Sequence, residues 1–380
     1  MQIISYAIAA IIPLIVLAVI YALDLYKMGE FRSVLLCFAW GLAAYGLAYY
    51  VNSSVYRAGW LNRSEIVRYF APFAEEILKA LILVYLVRRP NFTYFVDGAI
   101  YGFAAGMGFA VIENYQYILA TPSAGLGTAI ARVLSVNLIH ASATALVGVA
   151  LGLARFRRTG GHILLLLGGL FAAMVLHSLF NNINDRQIPG PILLYSTVIG
   201  LAAVGLIAFL IFRGLAEQKL WIREKLGMAD RVTGSEARAV DQIVDAGTFL
   251  EPLAALYGQE KAEQIEQFLF MQARLGILRK TLDKLPDEKM RTAVEKQMDE
   301  LRQQMDEIRR KVGSYCMASV RLIFPPDDTQ LFRMMEARIQ QVKETRAASG
   351  GGGANWMTAL QQRAAQKPAA PEEESSHPKP

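Results

Sequence analysis

FVDGAIYGFAAGMGFAVIENYQY, residues 95–117, decides how the rest of the chain is read. It is an apolar run of roughly 20 residues, the length that crosses a hydrocarbon core about 30 Å thick. Yet it carries Asp97, Glu113 and Asn114. Ionisable groups at bilayer depth are costly, so each one is a functional candidate. Gly98, Gly102, Gly106 and Gly108 form a small-residue stripe along the same run, which lets helices approach closely.

Similar runs recur on both sides of it. Candidate spans are Ile3–Leu23, Ser33–Val51, Ile66–Val87, Phe95–Ala120, Ala124–Ala154, His162–Phe180 and Pro191–Phe212, about seven in all by the length criterion. The third has the shortest clean apolar part, contains Lys79, and is expected to kink or break at Pro72, or to be re-entrant. The first follows no Lys or Arg and is too long for a signal peptide, so it reads as a retained span. The expected fold is all-α: a polytopic transmembrane helix bundle over residues 1–213, a cytoplasmic α-helical domain over 214–347, and a flexible linker and disordered tail over 348–380. The averages, 54% hydrophobic and 19% charged, conceal that split.

Charge sets an orientation. Lys27, Arg32, Arg88, Arg89, Arg155, Arg157, Arg158, Arg213, Lys219, Arg223 and Lys225 fall on one side of the spans. Arg57, Arg63, Arg68 and Arg186 fall on the other. The richer side is expected to be cytoplasmic. The net charge of +6 forms no basic stripe with interleaved aromatics, so nucleic acid is not an expected partner. Cys37 and Cys316 are too few for a disulfide framework. In the soluble half, residues 287–313 place Val294, Met298, Leu301, Met305, Ile308 and Val312 on a heptad seam. Packing within the domain and self-association into a homo-oligomer both fit that seam. A further helix is expected over Thr329–Arg346.

The polar residues inside the spans carry the chemistry. Span three holds Glu75, Glu76 and Lys79; span five holds Arg132, Asn137 and His140; span six holds His177, Asn181 and Asn182. At about 1.5 Å rise per residue, Glu76, Glu113, His140 and His177 converge between the bilayer centre and the outer face. Lys79 follows Glu75 by four residues and Glu76 by three, so it can pair with either. One glutamate held by lysine and another beside Glu113 would have separated affinities for a proton, which acid/base work on a water requires. His177 and Asn181 share a helix face and could donate to an oxyanion. Asp97 and Arg132 also read as interfacial or snorkelling residues.

This set resembles the PrsW family of bacterial intramembrane proteases, itself similar to the Abi/CAAX-prenyl endopeptidase group. Glu75-Glu76-Ile-Leu-Lys79 matches the family's EExxK, Phe109 through Glu113 its FxxxE followed by Asn114, and His140 and His177 with Asn181 its histidine helices. The Abi/CAAX group has a histidine where Glu113 stands. The resemblance, which does not extend to the C-terminal half, implies a multi-pass protein of the bacterial cytoplasmic membrane; the charge bias places the C-terminal domain inside. It implies an endopeptidase acting on single-span membrane proteins, anti-sigma factors among them. Glu75 or Glu76 would activate water, Glu113, His140, His177 and Asn181 would complete the site, and Lys79, Asn114 and Arg132 would support it. Two other readings stay open. Glu76, Glu113, His140 and His177 could bind zinc, although no HExxH is present and no cofactor is favoured. Polar residues near the midplane also suit a proton-coupled transporter or sensor, but no inverted repeat is seen.

Overall fold

The computed structural model describes residues 2–157, 161–185, 192–227, 232–241, 243 and 247–323. The expected helix Thr329–Arg346, the linker and the tail lie outside these residues. The described residues are helical throughout their regular elements and fall in one compact unit, Met1–Pro325.

Helices α1 (Gln2–Ala22) and α2 (Phe31–Arg57) open the bundle. A short α3 (Arg63–Glu65) continues through a π-helical turn, Ile66–Phe70, into α4 (Ala71–Leu86). Then come α5 (Phe95–Ala120), α6 (Gly125–Leu134), α7 (Val136–Ala154), α8 (Gly161–Asp185) and α9 (Ile192–Lys225). Among the described residues, six stretches are long and apolar enough to cross a membrane: α1, α2, α5, α6 with α7, α8 and α9. The chain is a multi-pass membrane protein. The expected third span is the exception by composition, because α4 carries Glu75, Glu76 and Lys79, all buried.

Burial separates the bundle's centre from its rim. The apolar window of α5 is 94% buried and that of α6–α7 83%, against 28% for α1 and 17% for α8. The rim helices turn large apolar side chains such as Ile11, Leu164 and Phe171 outward, as a lipid-facing surface requires. At the centre, a Cβ on Gly98, Gly102 or Gly106 would collide with the backbone of Gly148, Thr144 or His140. The glycine stripe thus puts α5 in direct backbone contact with α7.

Two irregularities shape the site. The π turn precedes Pro72, as the sequence suggested. The carbonyl of Val67 lies five residues before the N–H that Pro72 lacks. Asn181 Nδ2 from α8 donates to that carbonyl instead, at 2.8 Å. The expected fifth span is broken between α6 and α7, where Ser135 Oγ donates back to Ala131 O at 2.7 Å. Such side-chain bonds compete with helix continuation. The break lets Arg132 and His140 approach Glu113 from the same side.

Helix α9 runs unbroken past position 213 and is followed by α10 (Gly234–Asp241), α11 (Gly247–Tyr257), α12 (Gln259–Lys284), α13 (Glu288–Val312) and α14 (Ser314–Ile323). The heptad seam of α13 faces α12 of the same chain, and Val294, Met298, Leu301, Met305 and Val312 are buried there. These helices cover the end of the bundle where α5 begins. Thr281 Oγ1 donates to Thr93 O at 3.4 Å and Gln297 Nε2 to Asn91 Oδ1 at 2.9 Å. Asp97 is buried at this end and does not snorkel. Its Oδ2 accepts from Thr93 N, Thr93 Oγ1 and Tyr94 N at 2.6, 2.7 and 3.3 Å, satisfying donors at the start of α5.

Candidate active site

The opposite end of the bundle holds a cavity of about 890 Å³. Its walls come from the C-terminal half of α2, the start of α4, the end of α5, the α6–α7 break, the end of α8 and the start of α9. Glu75, Glu113, His140, His177 and Asn181 all line it, and Arg132 lines it beside Glu113. Five separate helices therefore bring these predicted residues to one place.

Beneath the cavity floor sits Lys79, fully buried. Its Nζ donates to Glu76 Oε1 at 2.8 Å, lies 2.8 Å from His140 Nδ1 and stands 4.0 Å over the Phe109 ring. Glu75 Oε2 is farther away, at 3.9 Å. An ammonium can only donate, so His140 Nδ1 is an acceptor and its proton sits on Nε2. That nitrogen meets Glu113 Oε2 at 2.9 Å. Both nitrogens of His140 are thus engaged.

The two adjacent glutamates differ. Glu76 is 0% exposed and accepts on both oxygens: Lys79 and His177 Nδ1 (3.0 Å) on Oε1, Thr144 Oγ1 (3.0 Å) on Oε2. Glu75 borders the cavity and receives one bond, from Asn52 Nδ2 to Oε1 at 3.3 Å. Its Oε2 is buried without a hydrogen-bond partner, 3.9 Å from His177 Nε2. When His177 donates Nδ1–H to Glu76 and carries no second proton, two lone pairs face one another across that gap. A shared proton or a cation would reconcile them.

Glu113 accepts from Arg132 Nη2 at 2.6 Å, and Arg132 Nε donates to Asn114 Oδ1 at 2.8 Å. Asn114 continues to Asn137 at 2.7 Å. Arg132 is therefore an anchored partner and not a snorkelling residue. Asn181, expected to donate to an oxyanion, lines the cavity and gives one of its two amide N–H groups to Val67 O.

The donor set for a metal also differs from the sequence expectation. Glu75, His140 and His177 bring ligand atoms within 4.8 Å of one another; Glu76 and Glu113 instead stand behind the two histidines. Glu76 on Nδ1 of His177 is the kind of carboxylate partner that orients a metal-binding imidazole. His140 fits less well, since it would have to release Glu113 or Lys79.

Asn52 and Thr144 were not singled out from the sequence. Asn52 sits near the end of span two, where an amide reads as interfacial. Thr144 is one of several small residues in its span, and hydroxyls there ordinarily bond their own helix.

A profile of PrsW family intramembrane metalloproteases matches residues 29–212. Residues 29–212 belong to the PrsW family. A curated relative, Protease PrsW of Halalkalibacterium halodurans, is 33% identical over 112 residues, 29% of this chain and 50% of that protein. The aligned stretch thus spans about half the relative's length. No solved structure matches the chain. The PrsW match takes in the cavity and every residue named at it, and leaves out α10–α14.

Proposed function

We propose that this chain is an intramembrane endopeptidase that hydrolyses peptide bonds of membrane-anchored proteins in the cavity. The observation that carries the proposal is Glu75: a buried carboxylate oxygen without a partner, held by Asn52, at the wall of a wettable cavity. In this reading Glu75 Oε2 takes a proton from a water as the water oxygen attacks the peptide carbonyl carbon. The C–N bond then breaks, and the proton passes to the leaving amine. Glu76 is the structural anion of the pair, fixing Lys79 and His177. When His177 carries a second proton, its Nε2–H donates to the developing oxyanion while Glu76 balances the charge. The substrate class is single-span membrane proteins, anti-sigma factors included. The bias of lysines and arginines supports placing α10–α14 in the bacterial cytoplasm, with the cavity opening outward.

The lone pairs facing each other at Glu75 and His177 favour a second chemistry at the same site. A zinc-type ion held by Glu75, His177 and His140 would polarise the carbonyl and its bound water. Elemental analysis of purified chain separates the two, together with cleavage after exposure to strong chelator. Comparative proteomics of single-span proteins in cells carrying wild type or Glu75→Gln tests the activity itself. Substrates that accumulate uncleaved only in the variant are expected; identical cleavage profiles would rule the proposal out.

A further inference from the structure

The peptidase reading accounts for the floor of the cavity but not for its mouth. Arg57 ends α2 and Arg63 opens α3, and both exposed guanidinium groups border the open end. Apart from Glu75 at the floor and Glu65, whose carboxylate accepts from Asn62 N at the start of α3, the acids nearby are paired. Arg68 Nε donates to Asp185 at 2.6 Å, and Ser64 Oγ bonds the same oxygen at 2.9 Å. Deeper in, Glu76 has Lys79 and Glu113 has Arg132. Arg57 and Arg63 make no side-chain hydrogen bond or ion pair among the described residues. Arg63 feels Asp185 only at longer range. The mouth therefore carries two guanidinium groups with no carboxylate bonded to them among the described residues. In the proposed orientation it lies on the side where arginines are disfavoured, so membrane topology does not explain them.

We infer that Arg57 and Arg63 select substrates with acidic residues immediately beside their membrane span, on the side the cavity faces. The inference rests on the peptidase reading. A guanidinium offers a planar fork that matches a carboxylate, so an acidic flank can be gripped at the mouth while the adjoining chain enters toward Glu75. Both arginines are exposed, so each contact is modest and weakens with salt.

The test uses full-length protein in zwitterionic vesicles. Single-span reporters carry a run of glutamates, glutamines or lysines next to the span, and only cleavage abolished by Glu75→Gln is counted. The wild type should cleave the glutamate reporter about threefold to tenfold faster than the lysine reporter, as expected of two exposed ion pairs. That ratio should shrink in high salt and invert in the Arg57→Glu, Arg63→Glu double variant. Equal cleavage of all reporters overturns the inference and leaves the peptidase intact. A ratio that survives the double reversal also overturns it. Absence of cleavage of any reporter sinks the peptidase reading and this inference with it.

Discussion

The two ends of the α5–α7 pair both bury acids, and they treat them differently. Where α5 begins, Asp97 is enclosed by the backbone and hydroxyl donors of Thr93 and Tyr94, and α12 and α13 close over the adjoining loop. Where α5 ends, the helices part around a cavity, and Glu75 keeps an oxygen free at its wall. Burial alone therefore does not mark a catalytic acid. Asp97 Oδ1 is likewise buried without a hydrogen-bond partner, so what distinguishes Glu75 is its place at the cavity wall.

Substitution at each end puts the contrast under strain. Glu75→Gln keeps the bond from Asn52 in shape but removes the base, and cleavage should fall about 10²–10⁴-fold. Asp97→Asn should leave cleavage per folded molecule near wild type and lower stability by about 1–3 kcal/mol through imperfectly satisfied donors. A large activity loss in folded Asp97→Asn would erase the distinction between the ends.

Within the cavity end, Glu76→Ala sharpens the comparison. It strands Lys79 without its closest carboxylate, and removing one partner of a buried pair costs about 3–5 kcal/mol. Thermal unfolding in detergent should show a much larger loss for Glu76→Ala than for Glu75→Gln. Asn181→Ala should cost about 0.5–1.5 kcal/mol by removing the bond to the half-buried Val67 carbonyl. Its cleavage rate should drop less than that of Glu75→Gln.

The smallest expected effect is at the closed end. Asp24, in the loop between α1 and α2, has its carboxyl raised to about 7 by burial, with Asp97 adding to the shift. The folded state thus holds this proton to higher pH than the unfolded chain does. Its contribution to stability is full below about pH 4 and is lost as pH rises through about 7. Asp24→Asn should flatten that part of the pH–stability curve, measured by thermal unfolding between pH 5 and 8 (about the window the raised value sets).

Much of the architecture was legible in the sequence, because span length and helical spacing are local properties. The i, i+3 and i, i+4 placement of Glu75, Glu76 and Lys79 already put them on one face, and the glycine stripe already implied close helix contact. What the sequence left open depends on partners far along the chain. Whether Glu75 or Glu76 faces the cavity is set by Asn52 on α2 and by Thr144 on α7. That Asn181 also holds the Val67 carbonyl is invisible until Pro72 is seen to leave that carbonyl without its backbone donor. The α13 seam has the same pattern whether it meets another copy or, as here, α12. Asp97 looked interfacial because nothing local shows that α12 and α13 cover its end of the bundle.

The most direct measurement compares single-turnover cleavage of one membrane-embedded reporter by wild type, Glu75→Gln and Glu76→Gln, each normalised to folded protein. Glu75→Gln should unfold at nearly the wild-type temperature and cleave essentially nothing, while Glu76→Gln should be distinctly less stable. Cleavage by Glu75→Gln at the wild-type rate would contradict the role given to Glu75.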